Sequence, residues 1–249
     1  MSDLSRTNLG DGYKQYFEIA PALDKARIND VFFIRHDVYA RELGFEPVRE
    51  DQQETDKYDF RSKHCLVRSA DATRLAGCAR LVLTDPADLD APFPFEVTCK
   101  NSLNRRIIDP AKQTRTRIAE VSRLAVMSEF RRRKGEQHGE VTIGEQDFGD
   151  RGQPRFPYIP VSLYIGAVAM AKRQGIEILF TLTEPRLAEH FGKLGVNIIP
   201  IGGPVEHRGL RVPSMLLVDE VYQGLRLMVR PLWHTINEQI DAAYAKSAG

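Results

Sequence analysis

Two charged residues interrupt a stretch that otherwise suits a buried strand. Residues 117–135 read RIAEVSRLAVMSEFRRRKG, and Ile118, Val121, Leu124 and Val126 with Ala119 and Ala125 supply the apolar run. Glu120 and Arg123 break it. A buried charge is costly unless it is paired or used, so both belong to an ion-pair network or a site. Arg80 breaks a second apolar run, residues 74–84, in the same way, and the spacing lets Arg80 and Glu120 pair across a sheet. Glu54, Asp56 and Asp59 crowd within one short acidic stretch that could hold an ammonium group or a cation, or be solvated. Its spacing is not that of an EF-hand, and no metal site is expected. The basic run Arg131, Arg132, Arg133 and Lys134, closed by Gly135, offers cations and backbone amides to an anion such as a phosphate, or is a solvated turn.

The rest of the chain must position these groups. Its 249 residues, 42% apolar and 28% charged, suit one large soluble domain with a sizeable core. A net charge of +1 makes any basic patch local, and no helix-turn-helix or zinc-finger spacing points to nucleic acid. Cys65, Cys78 and Cys99 cannot all pair and fit no zinc pattern, so a reducing cytoplasm is the expected compartment. The polar start has no apolar signal region, and the longest nearly apolar run, residues 158–171, is too short to span a bilayer.

In order, residues 1–12 read as a loose part of an N-terminal arm (1–20), and 21–43 as a helix on which Arg35 and Tyr39 are neighbours. An acidic loop spans 45–60, and 62–70 with 74–84 form an antiparallel hairpin. A Pro-bearing connection with the aromatic pair Phe93 and Phe95 leads to the central strand. Residues 136–160 read as an insertion or lid, followed by a helix to 173, a strand at 176–183 and a short helix at 185–194. Strands at 196–201 and 212–220 precede a last helix, 222–245, which Pro231 should kink or split. This order describes an α/β domain over 21–220, with a mixed, mostly antiparallel sheet flanked by helices and a helical extension over 221–249.

The element order resembles the GCN5-related N-acetyltransferase (GNAT) fold. The motifs resemble its acyl-homoserine-lactone synthase and N-acyl amino acid synthase branch, and most of all the acyltransferases associated with PEP-CTERM/exosortase systems. Three blocks carry the resemblance: Arg35, Tyr39 and Phe45 with Glu54-Thr-Asp56-Lys-Tyr-Asp59; Gly77-Cys-Ala-Arg80-Leu; and Glu120-Val-Ser-Arg123-Leu-Ala-Val. Three positions depart from it. Tyr39 and Phe45 stand where the family has Phe and Trp, which alters the acceptor pocket. Arg132-x-x-Gly135 is followed by Gln137 where the pyrophosphate loop of the wider superfamily has a small residue.

The resemblance implies that Arg35, Glu54, Asp56, Asp59, Arg80, Glu120 and Arg123 converge. It implies transfer of a fatty acyl group to the amine of an amino acid or similar small amine. The donor would be the acyl-4'-phosphopantetheine of an acyl carrier protein, with acyl-CoA as a possible substitute, and no cofactor would be bound tightly. On this reading Glu120 takes the amine's proton, Arg80 and Arg123 assist, and the backbone at Leu124, Ala125 and Val126 holds the carbonyl oxygen. Phe93, Phe95, the 176–183 strand and the helix after it would house the acyl chain, and residues 131–135 would dock the acidic carrier. Two other readings stand beside it: an acyl-homoserine-lactone synthase using S-adenosylmethionine, and a non-catalytic acyl-carrier or acyl-lipid binding module.

Overall fold

The computed structural model describes residues 8–131 and 156–248. Its strands are β1 (Phe17–Pro21), β2 (Ser62–Ser69), β3 (Leu75–Val82), β4 (Ile118–Val126), β5 (Ile178–Thr183), β6 (Ile199–Pro200), β7 (Val205–Glu206) and β8 (Leu210–Leu217). They form one sheet in the order β1-β2-β3-β4-β5-β8-β6, with β7 on β8. Every pairing is antiparallel except β4 with β5, which are joined by the helix α4 (Tyr158–Arg173). A parallel pair requires such a crossover.

Alternation along the strands sorts the chain onto two faces. Val67, Ala79, Leu81, Ala119 and Val121 meet α4, whose residues from Ile159 to Ala171 are all buried. A helix apolar all round belongs inside, and α7 (Arg230–Ala248) covers it. On the other face lies α2 (Lys25–Arg35), capped by Asp24, whose carboxylate accepts the Arg27 amide at 2.8 Å. Its inward stripe runs Val31, Ile34 and Arg35 and continues past its end with Val38 and Tyr39, so a guanidinium occupies a position that the helical period reserves for the core. Gly77 is explained by packing. A Cβ there would lie 2.6 Å from the Ala125 carbonyl oxygen, with Leu163 and Ile159 of α4 close behind.

Several elements differ from expectation. The expected arm is helical from α1 (Leu9–Tyr16), which packs on α7, and β1 then forms a sheet edge that places Pro21 in a strand. The helix expected to end at Leu43 is α-helical only to Arg35 and continues as a π-helix, His36–Glu42. Pro231 does split the last helix: α6 (Val218–Gly224) ends before it, and it stands in the first turn of α7, where a missing amide costs nothing. Arg132, Arg133, Lys134, Gly135 and most of the expected 136–160 insertion lie outside the described residues.

Candidate active site

β4 changes phase in the middle. Arg80 of β3 faces Ser122 and Cys78 faces Ala125, so Ala79 alone stands opposite both Arg123 and Leu124. That is a β-bulge, and within it Arg123 takes left-handed backbone, with φ +53°. In a regular strand Glu120 and Arg123, three apart, would point to opposite faces. The bulge returns Arg123 to the α2 side, where its guanidinium meets Glu46 at 3.3 Å and Glu54 and Asp56 at 3.2 Å.

These contacts belong to a buried network. Arg35 forms a fork on Asp59, at 2.6 and 3.1 Å, and its Nε donates to Glu54. Arg80 donates to Asp56 at 2.7 Å, to Asp59 at 3.0 Å and to the Ser122 hydroxyl at 3.1 Å. The acidic loop is shaped to deliver its carboxylates. The Asp56 amide donates to Asp59, the Tyr58 amide donates to Asp56, and the Glu54 amide is tied to the Phe32 carbonyl of α2. Burial alone would raise the Asp59 carboxyl, but the hydrogen bonds and charge of Arg35, then the charge of Arg80, outweigh it and hold its pKa at about 2. Glu54, Asp56 and Asp59 are thus committed to arginines. The expectation that they serve partly as ligands for an ammonium gives way to their role as a brace.

Glu120 stands apart from this network. The register sets it opposite Val82, one pleat from Arg80, so the expected cross-strand pair does not form. Its Oε2 instead accepts the Phe95 amide of α3 (Pro94–Thr98) at 2.8 Å. Burial raises its pKa to about 7, against the lowering effect of that amide and of the Arg80 and Arg123 charges. A buried carboxylate that exchanges its proton near neutrality is equipped for proton transfer at working pH.

The carboxylate opens onto a cleft of about 1020 Å³, mouth included. The sheet itself creates the opening. Val121 opposite Thr181 is the last β4–β5 pair; beyond it β4 stays with β3 to Val126 while β5 stays with β8 to Thr183. Tyr39, Arg80, Arg123, Leu124 and Phe95 line the cleft with Glu120. Leu187 and Phe191 of α5 (Pro185–Lys193) and Tyr164 of α4 form its apolar side. Phe95 stacks on Phe180, ring centres 4.6 Å apart. Phe93 is buried behind it against Arg61 and Arg115, so it does not line the cleft as expected. Ala125 and Val126 pack into the two cores, leaving only their backbone for the site, and Phe45 packs beside the α2 cluster. Arg131 pairs with Glu42 of the π-helix, which argues against it as a free docking cation.

Sequence reasoning missed Ser122, Tyr164, Glu46, His207, Arg208 and Arg211. For Ser122 the signal was its place between two candidates on an alternating strand. For Tyr164 there was none, because a tyrosine on an apolar helix reads as core. Its hydroxyl is buried and has no hydrogen-bond partner among the described residues. Such an orphan costs about 1–3 kcal/mol, so Tyr164→Phe should stabilise the free protein by an amount in that range. The thermal midpoint should rise; a fall would mean that the hydroxyl is satisfied.

The three cysteines are free and buried, and burial pushes the Cys65 thiol up to about 12 and raises Cys78 and Cys99. None is placed as a nucleophile.

Residues 34–138, less than half of the chain, match the model of an acetyltransferase (GNAT) domain. Solved structures match over far more of it. The acyl-homoserine-lactone synthase LasI is 18% identical, with TM-score 0.56 over 85% of this chain and 96% of its own. The CoA-dependent acyl-homoserine lactone synthase BjaI, solved with MTA, is 17% identical, with TM-score 0.58 over 88% of each chain. The fold is that of the GNAT enzymes. FeeM, an N-acyl amino acid synthase from uncultured soil microbes, shares this GNAT fold at 12% identity, with TM-score 0.50 over 85% of this chain and 98% of its own. No curated protein matches the sequence. At these identities the likeness fixes the fold, and the chemistry has to be read from the cleft.

Proposed function

We propose that this protein is an N-acyltransferase that moves a fatty acyl group from a carrier-bound thioester to the amine of an amino acid or similar small amine. The three motif blocks further support a place among the PEP-CTERM/exosortase-associated acyltransferases. The observation that carries the reading is Glu120: a buried carboxylate with a pKa of about 7, at the splay of β4 and β5, with two guanidinium groups nearby.

The steps follow from this geometry. The thioester lies in the gap between the strands, its pantetheine along β4 and its acyl chain toward Phe95, Leu187 and Phe191. The acceptor amine gives its proton to Glu120, directly or through a water, and its nitrogen attacks the thioester carbonyl. Met127 donates to the Ala76 carbonyl on β3, so strand alternation turns the Val126 amide toward the gap, where it can hold the oxyanion. Collapse of the tetrahedral intermediate breaks the C–S bond. The thiolate leaves with the electron pair and takes a proton from Glu120 or solvent. Arg80 and Arg123 keep Glu120 from an even higher pKa.

The donor is an acyl carrier protein on this reading, because Gln137 fills the small-residue position that a CoA pyrophosphate would approach. Acyl carrier protein should support turnover better than the matching acyl-CoA. Replacing Arg132, Arg133 and Lys134 with glutamine should raise KM for the carrier more than it lowers kcat, and high salt should have the same effect. Equal kcat/KM for the two donors would defeat the carrier reading. Mass spectrometry of organic extracts from cells making the protein would identify the product.

A further inference from the structure

One wall of the cleft plays no part in the steps above. His207 and Arg208 enter it from the turn between β7 and β8, and Arg211 from the start of β8. That turn is internally braced. The His207 amide donates to the Gly209 carbonyl at 2.9 Å, the Gly209 amide to Glu206 at 2.9 Å, and the Arg211 guanidinium to the Arg208 carbonyl at 3.2 Å. Arg208 and Gly209 both take left-handed backbone, φ +54° and +97°, as a tight hairpin turn demands.

The turn brings positive charge to the aromatic side of the cleft. The Arg208 guanidinium lies 6.0 Å from the ring centres of both Tyr39 and Phe45, and Arg123 lies 5.4 Å from that of Tyr39. Arg208 pairs with Glu46, which Arg123 also contacts, and Arg211 meets Glu184 at 3.2 Å. Half-buried His207 is held below the ordinary histidine range by burial and then by the charges of Arg208, Arg211 and Arg123. Three guanidinium groups therefore gather at one spot; Arg123 is held by the acidic loop, while Arg208 and Arg211 have Glu46 and Glu184 as partners. Glu184 lines this end of the cleft beside Glu120, and the pairings of Arg211 with Glu184 and of Arg208 with Glu46 are ones that an anionic ligand can take over by exchange.

We propose that the His207–Arg208 turn is a carboxylate-recognition subsite, so that the acceptors are amino acids bound through a free carboxylate. This inference rests on the acyltransferase reading and narrows its substrate class. An acceptor whose carboxylate lies on Arg208 is anchored at the mouth, with its amine directed inward to Glu120. A guanidinium fork suits a carboxylate, and the exchange of Glu46 for the ligand keeps Arg208 paired in both states.

Two product-like probes test the subsite without turnover. Dodecanoyl-glycine and dodecanoyl-glycinamide share the acyl chain and the amide and differ only in the carboxylate. Titrated calorimetrically into the full chain, the acid should bind at least about tenfold more tightly, the usual worth of a charged hydrogen bond. Arg208→Met should reduce that advantage to about twofold or less without weakening the glycinamide. Arg208→Gln, which keeps some hydrogen bonding, is the second variant should Met disturb folding. In turnover, Arg208→Met should raise KM for an amino acid by a larger factor than it lowers kcat. Equal binding of the two probes, binding of neither, or a preference that survives both Arg208 variants would overturn the subsite. A protein that discriminates the probes yet transfers no acyl group to any amine would keep the subsite and refute the acyltransferase reading instead.

Discussion

Glu120→Gln should slow acyl transfer by roughly two to four orders of magnitude, the range expected for loss of a general base. Single-turnover transfer from a preloaded carrier isolates this step from product release. Gln offers the Phe95 amide the same acceptor oxygen, so α3 stays in place and donor binding should be unchanged. The pH profile adds a second readout. In the wild type kcat/KM should climb about tenfold per pH unit below pH 7 and level off above it, because only the ionised carboxylate accepts a proton. The Gln variant should lose that limb. Stability moves the other way. The folded pKa of Glu120 is raised from 4.5 to about 7, so the folded state binds the extra proton and the wild type loses stability as pH rises through that window. Gln cannot ionise, so the variant should gain in relative thermal midpoint between pH 4.5 and 8. A folded variant that transfers at the wild-type rate would reduce Glu120 to a partner of α3. A non-catalytic module would turn over in neither form.

Some of this was legible because burial and charge conflict openly in the sequence. Arg80, Glu120 and Arg123 stand inside apolar strands, and no core accepts them without partners. Their resemblance to family motifs linked them to Arg35, Glu54, Asp56 and Asp59. The hairpin and the central strand were readable from β-branched runs, and the split at Pro231 from its missing amide. Other features depend on contacts that no local pattern encodes. The π-helix at His36–Glu42 continues an ordinary helical stretch, and five-residue β1 is too short for its alternation to stand out. The pairing of Arg80 with Ser122 follows from register, which the one-residue bulge sets. Between the strands expected at 196–201 and 212–220 the sequence shows only a stretch with Gly202, Gly203 and Gly209, although His207-Arg208-Gly209 already placed two basic side chains at a turn. What it lacked was the cleft opposite.

Arg35→Met should destabilise the protein by about 3–5 kcal/mol, the cost of removing one partner from a buried ion pair. Arg35 is fully buried and Glu54 and Asp59 nearly so, and water cannot replace the lost guanidinium without opening the α2 packing. Methionine fills much of the stem's volume, which limits any cavity and leaves charge as the main cause. The pH dependence identifies that cause. In the wild type the Asp59 pKa is depressed to about 2, so its stabilising contribution is complete above its ordinary value of 3.8 and is lost as pH falls toward 2. Without Arg35 the effect of burial is less opposed and the carboxylates move upward. Their charged forms then cost stability at neutral pH, and protonation relieves that cost in acid. The gap between variant and wild type, measured by urea unfolding, should therefore be widest near pH 7 and narrow below about pH 4. Adding Asp59→Asn and Glu54→Gln to Arg35→Met should recover part of the loss, because neutral amides need no cation. A gap that stays constant with pH, or a triple variant worse than the single, would trace the cost to packing rather than charge. Because Glu54 and Asp59 also hold Arg123 and Arg80, the folded fraction of Arg35→Met should transfer acyl groups more slowly at acceptor saturation, as both carboxylates lose the Arg35 contact that positions them.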